Sequence, residues 1–385
     1  MKYDFETLLN RKNTHCLKWD LTGDEYPLWV ADMDFKVAPP IADAVKSRSE
    51  HEIYGYTIVP DELFKSYINW WSEQYNFKMD MENMLFASGV MPAIGAIIRR
   101  FTNENDKILI QSPVYHVFFN VILDNNRSVV ENELIYDGFN YSIDFDDLDS
   151  KLKDCKIMIL CNPHNPIGKI WTKSDLDKIG KLCKKHDVIL ISDEIHCDLT
   201  DPNCKYNPFE LLNHWEKTIT CISPSKSFNI AGIQSAIVHT KNRFLHDKIK
   251  NQLAIEFSSH ANPFGITATI AAYNKSYEWL KELKDAIYLN KQLVSDYLEN
   301  EIPDLKLVEC NATYLLWIDI KSLNTTSKEL CDFLKDNVSV FLSPGVQFGK
   351  NGDQFFRMNI ACPQKHLKEA LKNLKKGIEL YKKIS

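Results

Sequence analysis

The chain has 385 residues, 44% of them hydrophobic and 25% charged, and a formal net charge of −6. That composition is of an ordinary globular protein with no basic block for nucleic acid, and without a run of eighteen apolar residues a membrane span is excluded. The length suffices for a large core and more than one domain.

Ten cysteines form no C-x-x-C pair, and the opening MKYDFETLLN does not read as a signal sequence. Reduced thiols and a cytoplasmic enzyme or binding protein are therefore expected. Cys161 and His164 lack two further ligands at sensible spacing, so no metal is expected.

In chain order, WVADMDF (Trp29 to Phe35) precedes Pro39-Pro40 and a helix holding Ile41, Ala42, Ala44 and Val45. Asp61 to Gln74 sets Leu63, Phe64, Tyr67, Ile68 and Trp71 at helical spacing. Between these helices lies the glycine-centred turn Tyr54-Gly55-Tyr56, whose tyrosines read first as core packing. From residue 84 strands and helices alternate. MLFASG ends in a small-residue turn and feeds a helix over Val90 to Phe101. KILIQSPVY delivers Tyr115, and KIMILCNPHNPIG ends in an Asn/Pro/Gly turn carrying Asn165. Thr172 or Ser174 can cap the helix whose apolar face is Leu176, Ile179 and Leu182. DVILISDEIH closes on Asp193 and His196. The strand Thr218 to Ile222 breaks at Ser223-Pro224-Ser225, delivers Lys226, and is followed by a second apolar run from Ser235 to His239.

Near-continuous apolar strands separated by helices predict an α/β fold, a mostly parallel sheet covered on both faces. From about residue 275, long helices over 277–300 and 327–336 alternate with short strands at 314–318, 338–342 and 355–360. The expected division is a large domain over 46–275 and a smaller α+β domain from 1–45 and 276–385.

In open parallel sheets ligands collect at the carboxyl ends of the strands. Ser88-Gly89, Tyr115, Asn165, Asp193, Ser223 and Lys226 all lie just past strand ends, so they converge on one rim. A helix N-terminus behind Ser88-Gly89-Val90, with the Ser223 and Ser225 hydroxyls, suits a phosphate. Asp193 could pair with a protonated heteroaromatic nitrogen, Asn165 with a phenolic oxygen, and Tyr115 with the face of a ring. An arbitrary loop lysine is solvated, but burial and cationic neighbours would lower the pKa of Lys226 and free its amine for a Schiff base. Together these groups describe a site for pyridoxal phosphate. Two other motifs fail: no G-x-G-x-x-G follows a strand, and GVQFGK (Gly345 to Lys350) is one residue short of a P-loop and lacks its final Ser/Thr.

WVADMDF, IYGYTIVP, LCNPHNPIG, SDEIHCDL, SPSKSFNIAG and FRMNIACP, in this order, make the sequence resemble fold-type I, pyridoxal-phosphate-dependent enzymes of the class I/II aminotransferase family. It is most similar to the cystathionine β-lyase-like C–S lyase branch, which WVADMDF and DEIH separate from ordinary aminotransferases. The resemblance implies a seven-stranded, mostly parallel sheet with Lys226 as the Schiff-base residue and Asp193 on the pyridine nitrogen. It also implies Asn165 at the 3′-oxygen, Tyr115 stacked on the ring, and Arg357 on the substrate α-carboxylate. Gly89, Val90, Ser223 and Ser225 would surround the phosphate, joined by Tyr56 from the neighbouring subunit of a homodimer. His196 stands where many aminotransferases have a tyrosine that reaches the 3′-oxygen.

Two features depart from the wider family. Gln234 replaces an arginine eight positions after the lysine, in keeping with the lyase branch, and Ser88 and Met91 alter the phosphate loop. Arg357 has a physical case as well, since a planar guanidinium grips a carboxylate through two parallel hydrogen bonds. The expected reaction is α,β-elimination from L-cystathionine, L-cysteine or related S-conjugates. The alternatives are an aminotransferase using the same cofactor and a regulatory binding protein on the same scaffold.

Overall fold

The computed structural model describes residues 1–21, 26–212 and 215–384. Its centre is a seven-stranded sheet. Across the sheet the strands run Met84–Ala87, Ala236–His239, Thr218–Ile222, Ile189–Asp193, Cys155–Cys161, Lys107–Ile110 and Ser128–Glu131. Thr218–Ile222 is buried along its whole length, as strands covered on both faces must be. On one face the helix Val90–Phe101 packs Ile94, Ile97 and Ile98 against Ile219 and Val238. On the other, the helix Lys173–Lys185 packs Leu176, Ile179 and Cys183 against Met158 and Leu190. Thr172, not Ser174, caps this second helix, in a reciprocal box with Asp175.

The sheet is mixed because Ala236–His239 runs antiparallel to both neighbours. A parallel return needs a long crossover, usually helical. The segment joining it to Thr218–Ile222 holds Lys226 and one short helical turn, Ala231–Ile233, so the chain reverses direction instead. KILIQSPVY is a strand only as far as Ile110. Pro113 has no N–H for a ladder, and the next amide, Val114, turns away to donate to the Phe348 carbonyl at 2.8 Å.

A second, antiparallel sheet runs Lys306–Leu307, Leu315–Asp319, Phe355–Asn359 and Ser343–Pro344. The strand expected over 338–342 is shorter, because the helix Ser327–Val338 takes its first residue. Val340–Phe341 pairs in parallel with Tyr26–Pro27 from the start of the chain. Gly345–Phe348 is a short helical turn. In the last helix, Gln364–Tyr381, Leu367, Leu371, Leu374 and Ile378 are buried at helical spacing, which leaves most of the lysines outward.

The N-terminal segment is tied down by charge. The Lys18 ammonium, fully buried, lies 2.7 Å from Asp34, and Arg11 reaches Asp34 at 2.6 Å and Asp32 at 2.7 Å. Trp19 Nε1 donates to Asp34 at 2.8 Å. Desolvation opposes ionisation of Asp34, yet Lys18 and Arg11 outweigh it and hold the carboxyl below its usual range. Asp34→Ala would remove the 2.7 Å carboxylate contact of the buried Lys18 ammonium, with Asp32 at 3.7 Å the more distant carboxylate beside it. We expect a loss of about 3–5 kcal/mol, read as a lower denaturant midpoint.

Candidate active site

The strand ends deliver their residues to one cavity of about 230 Å³. Ser88, Gly89 and Val90 enter from the turn after Met84–Ala87, and Ser223, Ser225 and Lys226 from the turn after Thr218–Ile222. Tyr115, Asn165, Asp193 and His196 complete the expected set on its walls. Arg357 comes from the second sheet, where it pairs with Trp317 and Ser343, and its Nη1 donates to Asn165 Oδ1 at 3.2 Å. Tyr56 is elsewhere: it is 104% exposed and does not line this cavity.

Lys226 is half-buried and its Nζ donates to the Ala31 carbonyl at 2.7 Å. Desolvation, then the positive field of Arg357, lowers its pKa to about 8 against the opposing pull of Asp32 and Asp193. A solvated loop lysine would feel none of this. Asp193 ends its strand in register with Cys161 and Cys221, which fixes its backbone between two neighbours. Its side chain is 4% exposed and accepts one hydrogen bond, from Ile195 N at 3.1 Å. Burial therefore raises its pKa to about 7, with the Ile195 amide and Lys226 pulling the other way.

His196 is buried with Nδ1 unpartnered among the described residues, and desolvation holds its pKa near about 3, so the ring is neutral. Ser223 spends its proton on the Ser235 carbonyl at 2.6 Å and accepts from Ser225 N at 3.1 Å, so here it shapes the turn. The helix Val90–Phe101 begins at Gly89 with no side-chain cap, which leaves its first N–H groups at the cavity without a side-chain acceptor.

Pyridoxal phosphate fits these residues. Among the described residues, a buried carboxyl with no ion pair suits a pyridinium, an imidazole with Nδ1 unpartnered and Asn165 suit a ring oxygen, and a helix start with no side-chain cap suits a phosphate. The amine with a lowered pKa lies in the same cavity.

The raised pKa of Asp193 makes a pH prediction for the cofactor-free protein. A carboxyl whose folded pKa exceeds its unfolded value costs nothing when protonated in both states. Its penalty grows from about pH 4 and levels off above about pH 7. Asp193→Asn removes the ionisation, so the stripped variant should gain on wild type from pH 4 to 7, reaching about 4 kcal/mol. Paired denaturation curves at pH 5 and pH 8 with the same difference would refute it.

Several contributors escaped the sequence reading. The Trp29 carbonyl accepts from Arg357 Nη2 at 2.8 Å, and Ala31 accepts from both Lys226 and the Tyr314 hydroxyl, the latter at 2.9 Å. Ser235 and Cys161 also face the cavity. WVADMDF was visible as a motif, but besides the field of Asp32 its contribution is main-chain carbonyls, which no side-chain pattern signals.

Residues 27–374 match the family described as aminotransferase class I and II. The chain is 36% identical to cystathionine beta-lyase PatB of Bacillus subtilis, over 97% of this chain and 100% of that protein. It is 30% identical to protein MalY of Escherichia coli, over 97% of this chain and 98% of that protein. Among solved structures it is similar to cystalysin from Treponema denticola, which contains a pyridoxal 5′-phosphate cofactor. The TM-score is 0.95 at 33% identity, covering 98% of this chain and 99% of that one. A strand order, a rim of converging side chains and near full-length matches thus agree, and this chain belongs to the aminotransferase class I and II family.

Proposed function

We propose that the protein is a pyridoxal-phosphate-dependent carbon–sulfur β-lyase, converting L-cystathionine, L-cysteine or a related S-conjugate to pyruvate, ammonia and a thiol. The observation that carries this is the meeting of the Lys226 amine and the buried Asp193 carboxyl in one cavity, with Arg357 reaching Asn165 on its wall. The choice of a sulfur substrate is supported by the relatives named cystathionine beta-lyase and by the C–S lyase of Staphylococcus hominis, at TM-score 0.92 and 31% identity.

When bound, the cofactor supplies an electron sink for charge developing at the substrate α-carbon. Asp193 would hold the ring-nitrogen proton in place. Lys226 takes the α-proton and returns one to the departing sulfur, and a pKa near about 8 suits both transfers close to neutrality. Arg357 would orient the substrate by its α-carboxylate, Tyr115 would lie against the ring, and Asn165 and His196 would serve the ring oxygen. Gly89, Val90, Ser223 and Ser225 would form the phosphate cup, Ser223 by shaping its turn.

We assign the cofactor to a large domain over 46–275, with 1–45 and 276–385 as the small domain. Tyr56 stands fully exposed beside Ile53 and Ile58, exposed at 66% and 81%, an apolar surface suited to a second copy of the chain. In a homodimer Tyr56 would reach the neighbour's phosphate cup. Ten free cysteines fit the cytoplasm. No helix among the described residues is long and apolar enough to cross a membrane.

The purified protein should release pyruvate from L-cystathionine with no keto acid added. It should also show a visible absorption band that borohydride removes. Turnover that requires a keto acid would make it an aminotransferase instead.

A further inference from the structure

The turn that carries Lys226 is held from behind by a carboxylate that does not face the catalytic cavity. Asp198 is 4% exposed, and its partners are neutral donors: Trp70 Nε1 at 2.9 Å, the Tyr75 hydroxyl, and Ser227 Oγ at 2.9 Å. Trp70 and Tyr75 both belong to the helix Asp61–Tyr75, and Ser227 directly follows Lys226. One buried carboxylate therefore joins a core helix to the residue next to the reactive amine. Three donors converging on it explain why an acceptor-only group is placed there.

The rest of the turn is fixed around that point. Phe228 N donates to Pro224 O at 2.9 Å and Ile230 N to Ser225 O at 3.0 Å. The Phe228 ring is wedged edge-on to Trp70 at 5.7 Å and Tyr273 at 5.9 Å. Among the described residues the Lys226 Nζ makes one hydrogen bond, to the Ala31 carbonyl. The position of its Nζ is thus set by the backbone of the turn, and the turn is anchored at residue 227.

We propose that Asp198 is a positioning residue for Lys226, acting through the Ser227 hydroxyl; this rests on the catalytic reading of Lys226 given above. Misplacement of a reacting group by about 1 Å can cost about 100-fold, and loss of one anchor in a packed turn displaces it by less. The test uses the holoenzyme, once wild type has shown its borohydride-sensitive band; without that band the catalytic reading itself fails, independently of Asp198.

Ser227→Ala and Asp198→Ala should each lower kcat roughly tenfold with KM within about twofold. Amide hydrogen exchange across residues 225–230 should quicken in both. The double variant should be no slower than the slower single, because both changes cut one link. Asp198→Asn should recover most of the kcat lost in Asp198→Ala, since its amide can still bond the Ser227 oxygen while Oδ1 keeps the other two donors. If Asp198→Ala does not fold, Ser227→Ala and Asp198→Asn still carry the test. A Ser227→Ala enzyme with wild-type kcat and exchange, or single effects that multiply in the double variant, would overturn the proposal.

Discussion

Lys226→Ala should lose pyruvate production by at least about 1000-fold, the largest effect expected of any single change. The two roles proposed for Lys226 would disappear together: covalent attachment of the cofactor and the shuttling of a proton between the α-carbon and the sulfur. The fold should survive, because Ala31, which accepts from Lys226, also accepts from the Tyr314 hydroxyl at 2.9 Å. The loop at Trp29 to Phe35 keeps its further ties as well, with Asn229 Nδ2 donating to Met33 O at 3.1 Å and Phe35 O at 2.9 Å. The variant should therefore melt close to wild type while borohydride no longer fixes the cofactor to the chain. Retained turnover in a well-folded variant would remove Lys226 from the chemistry.

Arg357→Leu should lower kcat/KM by roughly 100-fold, about 3 kcal/mol, through loss of a charged, two-pronged grip on the substrate carboxylate. The guanidinium is 4% exposed and its neighbours are neutral acceptors: Asn165 Oδ1, the Trp29 carbonyl and Ser343 Oγ. Nε has no partner among the described residues, and the group stands 4.7 Å over the Phe348 ring. Burial lowers its pKa to about 10, against an upward pull from Tyr115 and Tyr314, so it remains charged at neutral pH. A buried cation surrounded by neutral acceptors is a receptor for an anion. Lysine at this position lacks the planar fork, and Arg357→Lys should recover only a small part of the loss. Steady-state kinetics with S-conjugates that carry or lack the α-carboxylate give the check. Equal kcat/KM in wild type and Arg357→Leu for the carboxylated compound would assign Arg357 a structural role.

Local pattern and chemistry were legible in the chain from the start. The helix Val90–Phe101 has the limits its sequence predicts, and Thr172 was one of two proposed caps. The apolar strands with polar residues just past their ends brought Tyr115, Asn165, Asp193 and Lys226 to one rim, because a parallel sheet aligns every carboxyl end on the same side. Tyr56 entered the site by resemblance, and Arg357 by resemblance joined to the chemistry of a guanidinium, since neither lies at an end of the large sheet. What tertiary structure alone decided was which distant segments lie behind and above that rim. The Ala31 carbonyl meets Lys226 across 195 positions, Asp198 ties Ser227 to a core helix, and Lys18 is buried against Asp34. Periodicity and motif spacing report on neighbours within a few residues. Contacts between segments farther apart in the chain are fixed by packing and by the pairing of buried polar groups, and these exist only once the chain has closed on itself.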